Sequence, residues 1–233
     1  MTRITLTLCF AALFSCQSKN KIDREQGQQD TIIETIAKEE GAFKPIYESF
    51  DYLILGKKPT DIMVIQRSKA SDGFPIYNQL ASYGDDVIMG KDVTFEDLRI
   101  YKKYAPKSTF EDYAVEVYEG KLANPDFSTN PDAKSFITRI KQGCAEGVNF
   151  AGHYTLITWG CGSPCQTGVV VDRISGKIHE GLLTSLGLKF KKDSKLVIKN
   201  IGAIDPKTNL IEVCSYCEVK HEIWTGSSFE KVY

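Results

Sequence analysis

The sequence feature that most constrains the fold is the alternation of short apolar runs and turn residues that begins at Gly152. Residues 153–159 alternate in side-chain character with a period of two, which is typical of a β-strand. Further short β-forming runs follow at 168–172, 177–179, 188–190, 196–201, 210–214, 218–224 and 229–233. Their separators are rich in Asp, Ser, Gly, Pro and Asn, which form tight turns. This pattern predicts an antiparallel meander that curls into a sandwich or a partial barrel.

A helix is predicted directly before this series, at about 131–146. Thr129 or Asn130 can cap its first turn, a proline suits the first helical position, and Gly147 can end it. Its apolar residues fall at helical spacing and include Ala133, Phe136, Ile137, Ile140 and Cys144. We therefore expect this face to pack on the β-strands and the Cys144 thiol to be buried and inert.

Residues 31–110 carry mixed signals. The predicted elements are a helix at 31–40, a hairpin of strands at 51–56 and 61–67, and a helix at 94–104. The second helix is predicted because Thr94 and Asp97 have the spacing of a capping box. Together with the C-terminal region, these elements predict an α+β protein. Its mixed α/β part at 31–110 precedes a helix packed on an antiparallel β domain, both within 111–233.

The first 15 residues are typical of a secretory signal peptide. They contain one basic residue, an apolar run and a small residue before Cys16, and the run is too short to span the roughly 30 Å core of a bilayer. Leu-Phe-Ser-Cys at 13–16 resembles the lipobox of bacterial lipoproteins, in which the cysteine is acylated and becomes the first mature residue. The alternative is an ordinary signal peptide with an incidental cysteine. Residues 16–30 are polar and predict a flexible tether.

This N-terminus predicts a location in the cell envelope, with the domain outside the cytoplasm and anchored through lipid on Cys16. Two or three acyl chains anchor a protein stably, at about 0.8 kcal/mol per buried methylene. Nucleic acid is not an expected partner, because 29 Lys and Arg residues nearly balance 30 Asp and Glu residues and no basic block occurs. A protein or cell-wall partner is expected instead.

Five cysteines remain after removal of the signal peptide and lipidation of Cys16: Cys144, Cys161, Cys165, Cys214 and Cys217. Outside the cytoplasm, closely spaced cysteines usually form disulfides. Local bridges within 161–165 and within 214–217 are favoured over cross-pairing. The chain-entropy model alone would favour cross-pairing, at roughly 4 against 2 kcal/mol. A four-cysteine zinc site is a further alternative, although no metal or other cofactor is expected.

Three motifs stand close together: Asn-Phe-Ala-Gly-His-Tyr at 149–154, Trp-Gly-Cys-Gly-x-x-Cys-Gln at 159–166 and Val-Asp-x-x-x-Gly-Lys at 171–177. This pattern resembles a group of uncharacterised secreted bacterial proteins over about residues 110–233. The resemblance implies a shared domain and carries no activity with it. A thioredoxin-type redox site is disfavoured, because three residues separate Cys161 from Cys165 and the chain continues as a strand instead of the helix that would stabilise a thiolate.

His153 is the candidate for a catalytic residue. It could act as a general base, oriented by Asp172 or Glu212. No nucleophile motif accompanies it, and the alternative is a buried structural histidine that shares a strand face with Ile157 and Trp159. The two tryptophans, Trp159 and Trp224, are candidates for stacking on a ligand, or else they fill the core.

The expected function is therefore that of a membrane-anchored envelope lipoprotein with a non-enzymatic binding or inhibitor module. The anchor, the tether and the disulfide-compatible cysteines favour this interpretation. The alternative is an envelope hydrolase or another enzyme built around His153, which would require a carboxylate or a nucleophile beside that histidine in an open pocket.

Overall fold

The computed structural model describes residue 36, residues 41–70 and residues 73–232. The predicted signal peptide, the tether, Cys16 and nearly all of the predicted helix at 31–40 lie outside the described residues. The fold is a β-rich α+β fold, and every pairing between its named strands is antiparallel. None of the helices in the described ranges is long and apolar enough to cross a membrane.

The strands in chain order are β1 (Lys44–Glu48), β2 (Tyr52–Gly56), β3 (Ile62–Gln66), β4 (Asn78–Tyr83), β5 (Asp86–Gly90), β6 (Leu98–Lys103), β7 (Tyr154–Gly162), β8 (Cys165–Asp172), β9 (Ile178–Thr184), β10 (Leu188–Phe190), β11 (Leu196–Lys199), β12 (Leu210–Glu212), β13 (Lys220–Trp224) and β14 (Phe229–Lys231). The α-helices whose bounds fall within the described ranges are α1 (Arg67–Ala70) and α2 (Ile137–Ala145), and 3-10 turns lie at Phe95–Asp97, Glu111–Tyr113, Pro131–Phe136 and Ile201–Ala203. The strands form four sheets, in the orders β1-β2-β6-β12, β3-β5-β4, β7-β8-β9 and β10-β11-β13-β14.

The N-terminal part is more strongly β than its sequence predicts. The expected hairpin is wrong, because β2 pairs with β1 and β6 whereas β3 pairs with β5 in another sheet. Strand β2 is a central strand, because its two edges pair with β1 and β6. Its residues Leu53, Ile54 and Leu55 are fully buried. The connection at 57–60 therefore leads from one sheet into the next.

The predicted helix at 94–104 is also wrong. One 3-10 turn, Phe95–Asp97, leads directly into β6, which pairs with β2 along its length. Thr94 donates its hydroxyl to the Asp97 carboxylate and makes no cap to the backbone. Leu98 and Ile100, two residues apart, are each 1% exposed, so burial beside β2 determines the structure here and outweighs the local capping signal.

The helix predicted at 131–146 is confirmed, with its first part wound as a 3-10 turn, but Phe136 and Ile137 of its predicted packing face are 40% and 37% exposed. The Asn130 side chain accepts a hydrogen bond from the Ala133 amide at its start. Ile140 and Cys144 on α2 are buried against Ile157, Trp159, Val169 and Val171 of the β7–β8 hairpin. Gly143 permits this close approach, because a Cβ there would lie 2.6 Å from the Ile157 side chain.

The β-runs predicted beyond Gly152 are present, but they do not form one continuous meander. Strands β7, β8 and β9 make one sheet, and β10, β11, β13 and β14 make another. The intervening strand β12 pairs with β6 and so completes the N-terminal sheet. The C-terminal and N-terminal regions therefore share a sheet.

His221 on β13 forms a second connection between these regions. Its Nε2 lies 2.8 Å from the Tyr104 hydroxyl and its Nδ1 lies 2.9 Å from the Ser108 hydroxyl, so both ring nitrogens are hydrogen-bonded. Burial lowers the pKa of His221, an effect that a hydrogen bond with Ser108 partly offsets. The neutral imidazole is consequently the form that the fold favours.

We predict that acidification weakens the fold partly through His221. Since the pKa of His221 is lower in the folded chain than in the unfolded chain, stability is fully present above about pH 6.5 and is lost as the pH falls through the folded-state value. His221→Gln retains a donor and an acceptor but does not titrate. It should therefore reduce the dependence of unfolding free energy on pH, measured by urea denaturation between pH 7 and pH 5. A pH dependence identical to that of the wild type would contradict this role.

Candidate functional site

His153 lies in the turn before β7, not on the strand face shared with Ile157 and Trp159. Ala151 and Gly152 adopt positive φ angles of 45° and 83°, and the strand begins only at Tyr154. A glycine is required at 152, because a Cβ with this backbone would lie 2.6 Å from the Glu116 carbonyl oxygen. The turn therefore removes His153 from the alternation that its sequence context predicts, and its side chain is 32% exposed.

The environment of His153 contains one of the two predicted carboxylates. Its Nε2 lies 3.8 Å from Asp172 Oδ1, and its ring centroid lies 4.1 Å from that of Tyr154. Glu212 lies on β12 in a different sheet. No hydroxyl or thiol group in the described part of the chain hydrogen-bonds to the His153 ring. The geometry thus brings a histidine and a carboxylate together without a nucleophile bonded to them.

Asp172 is already engaged in closing the turn between β8 and β9. Its carboxylate accepts hydrogen bonds from the Ile174 amide at 2.8 Å and from the Ser175 hydroxyl at 2.6 Å. Burial raises the pKa of Asp172, but these hydrogen bonds outweigh it, and the pKa lies below its ordinary value. Asp172 is therefore an ionised turn residue. Its negative charge also raises the pKa of His179, but burial lowers that pKa by more.

The cysteines form the two local bridges. Cys161 is bonded to Cys165 across the β7–β8 turn, and Cys214 is bonded to Cys217 directly after β12. Cys144 is the free, buried thiol that the helical pattern predicts. With four sulfurs in disulfides, the described ranges contain no group of three or more His, Cys, Asp or Glu side chains that could hold a metal ion.

The two tryptophans occupy different parts of the core. Trp159 is 8% exposed and stacks on Phe136 with ring centroids 4.3 Å apart, in the cluster beneath α2. Trp224 is 1% exposed and packs with Phe150, Tyr154 and Phe229 in another cluster. Their burial favours the core interpretation over an exposed stacking platform.

A cavity of about 690 Å³ lies between the C-terminal half of α2 and the segment 122–127. Apolar side chains form much of its wall: Leu122, Pro125, Phe127 and Ala145. Cys144 also faces it, as do Lys141 and Arg173. No acidic residue lines the cavity, so both ionised groups on its wall are cationic.

Arg173 is the polar centre of this cavity, and only 4% of the residue is exposed. Its Nε donates to the Ala123 carbonyl oxygen at 3.1 Å. Its Nη1 donates to the Cys144 carbonyl oxygen at 2.6 Å and to Thr155 Oγ1 at 3.1 Å. Thr155 in turn donates to the Gly147 carbonyl oxygen. One guanidinium thus joins the segment 122–127, the end of α2 and strand β7.

The remaining nitrogen of the guanidinium, Nη2, makes no hydrogen bond within the described residues. Nη2 of Arg173 donates to no acceptor among the described residues, and none of their carboxylates lies within 4.0 Å of the guanidinium. The unpartnered side-chain nitrogens that are fully sealed from solvent belong to Trp159 and Trp224, so Nη2 keeps some accessible surface. Arg173 is one of the residues that line the cavity.

The positive charge of Arg173 also acts on its neighbour Cys144. Burial raises the pKa of the Cys144 thiol, and the guanidinium partly offsets that effect. The thiol therefore remains protonated at neutral pH, in agreement with an inert structural cysteine.

Arg173 lies in the turn directly after β8, and none of the sequence motifs predicts its role. The available signal was the alternation of β8: Val169 and Val171 are buried against α2, and Arg173 is the next residue on the same face. An arginine that follows a strand in the phase of its inward residues indicates a buried cation, but it does not reveal which groups surround that cation.

No protein-family model matches this chain. A search of curated proteins and a search of solved structures also find nothing significantly similar to it.

We predict one free thiol among Cys144, Cys161, Cys165, Cys214 and Cys217. Cys144 should react only after denaturation, because it is 5% exposed, whereas the four bridged cysteines should react only after reduction. Thiol titration with and without denaturant and reductant checks both statements. Five reactive thiols without reductant, or one equivalent of bound zinc, would contradict the bridges.

Proposed function

We propose that the protein is a lipid-anchored binding protein of the cell envelope. Its domain binds a small ligand in the cavity beside Arg173, and it is not an enzyme built around His153. The observation that carries the proposal is the buried guanidinium with an unpaired Nη2 at the cavity wall. A buried charge without a counter-ion is costly, and a ligand oxygen would relieve that cost.

The size and lining of the cavity support binding. Sites for small molecules typically enclose about 300–1,000 Å³ and combine apolar walls with a few polar groups that fix orientation. The cavity of about 690 Å³ has four apolar side chains together with Asn124, Arg173 and Lys141. Its main polar group is held by three hydrogen bonds, so little ordering entropy would be lost when a ligand binds.

The surroundings of His153 support a catalytic role less well. Its neighbouring carboxylate, Asp172, is committed to the backbone and hydroxyl of a turn, and the 3.8 Å separation exceeds a hydrogen bond. A general base also needs a proton donor within reach. Binding at Arg173 therefore agrees better with the geometry than catalysis at His153.

The anchor belongs to the same proposal. Acylated Cys16 would hold the protein at a membrane, and the polar segment 16–30 would separate the membrane from the domain. A binding domain held there would take its ligand from the envelope space or pass it to a neighbouring protein or to cell-wall material.

We predict that Cys16→Ser releases the protein from the membrane. The variant should be recovered in the soluble envelope fraction and should lack the mass of attached acyl chains, because the serine hydroxyl does not accept the diacylglycerol. Fractionation and mass spectrometry of the mature N-terminus measure both effects. Continued partition with membranes through acylation, or a mature start elsewhere, would contradict the anchor.

We predict that the cavity binds the neutral apolar probe N-phenyl-1-naphthylamine at one molecule per chain, with increased fluorescence. Ala145→Trp should weaken this binding at least tenfold, because residue 145 lines the cavity and is exposed at the end of α2. Gln142→Trp is the matched control: the same side chain is added at an exposed position of α2 that does not line the cavity. No probe binding by the wild type, or equal binding by Ala145→Trp, would contradict the proposed site.

A further inference from the structure

We propose that the ligand of this cavity is an apolar carboxylate, meaning an apolar body that carries one carboxylate group. The inference rests on the proposed binding function and adds the chemistry that the cavity selects. It follows from the charges on the cavity wall, the geometry of the free donors and the nature of the remaining surface.

The charges of the wall require an anion. Arg173 is buried, Lys141 is exposed, and neither forms an ion pair with a described residue. The acidic residue within the segment 122–127 is Asp126, whose carboxylate accepts from the amide and hydroxyl of Ser128. An anion in the cavity would thus meet one buried cation and one cation near solvent, without an acidic competitor on the wall.

The donor geometry favours a carboxylate over a phosphate. Nε and Nη1 of Arg173 are occupied, so the guanidinium offers only the two hydrogens of Nη2. The helix end at the cavity is the C-terminus of α2, which carries a partial negative charge and repels a dianion. Phosphate sites instead use several backbone amides at a helix N-terminus. One carboxylate oxygen on Nη2 fits the donors that are present.

The rest of the wall specifies the body of the ligand. Leu122, Pro125 and Phe127 lie on the loop side of the cavity, and Ala145 lies on the helix side. Burial of apolar surface contributes roughly 25 cal/mol per Å², so an apolar chain or ring between these side chains would supply much of the affinity. The carboxylate would fix its orientation. Such a group occurs either on a free small acid or at the C-terminus of a peptide.

Isothermal titration calorimetry with matched probes tests the inference. The pairs are 3-phenylpropionate with 3-phenylpropionamide, and N-acetyl-alanyl-phenylalanine with its C-terminal amide. In each pair that binds, we expect the carboxylate to bind at least tenfold more tightly than the amide. Tighter binding of the dipeptide acid would identify a peptide C-terminus as the source, and tighter binding of phenylpropionate would identify a free acid.

Substitutions of the two cationic residues test the role of charge in binding separately from any effect on folding. Lys141→Gln should weaken carboxylate binding about threefold and leave the melting temperature unchanged, because Lys141 is exposed and holds no described partner. Arg173→Met should abolish the preference for carboxylate, and N-phenyl-1-naphthylamine binding reports whether that variant keeps its cavity. Ala145→Trp should block both members of each pair.

The outcomes distinguish this inference from the proposed function. If acid and amide bind equally, or if the neutral fluorescent probe binds while neither acid does, the ligand class is wrong and the binding function stands. If the fluorescent probe, the acids and the amides all fail to bind, the binding function itself fails. Retention of the carboxylate preference in a folded Arg173→Met variant would also overturn the assignment of the charge-recognising residue.

Discussion

The three hydrogen bonds of the buried Arg173 guanidinium are the interaction on which this part of the fold depends. They join the segment 122–127, the C-terminal end of α2 and strand β7, three pieces of chain that are distant in sequence. The acceptors include two backbone carbonyls, and loss of the buried charged donor would leave the Ala123 carbonyl without a partner, whereas the Cys144 carbonyl also accepts from the Gly147 amide. The cation also lies at the negative end of the α2 dipole, where it is stabilised. Arg173 therefore fixes how α2 approaches the β7–β8 hairpin.

The same hydrogen bonds hold together the elements that surround the cavity. Because Nε and Nη1 satisfy the fold, Nη2 is held in place without its own acceptor, and the cavity exists between the elements that the guanidinium keeps together. In the proposed function, one side chain therefore serves both the fold and the ligand. The region of His153 has no comparable arrangement, since its neighbour Asp172 serves a turn and the tryptophans near both regions are buried in the core. This contrast is the physical basis for preferring binding over catalysis.

Local patterns predict this fold where burial and periodicity agree. The alternation in β7–β9 and the helical spacing that ends at Cys144 are of this kind, and the close spacing of the cysteines correctly favoured local bridges. Prediction failed where long-range pairing decides the structure. The capping signal at the start of β6 predicted a helix, but the segment pairs with β2 as a strand. The candidate site was also beyond prediction, because the hydrogen-bond partners of Arg173 lie 18 to 50 residues away in sequence and two of them are backbone carbonyls. A sequence pattern can mark an inward arginine, but only the fold shows which of its donors is left open.

The most direct test of the central claim is a crystal structure of the protein with bound 4-bromophenylacetate, with the bromine located by anomalous scattering. The account predicts bromine among the apolar side chains of the cavity and one carboxylate oxygen about 2.7–3.0 Å from Arg173 Nη2. Displacement of an ordered water from Nη2 would agree with this result. A ligand bound outside the cavity, or one inside it with the carboxylate turned away from Arg173, would contradict the account.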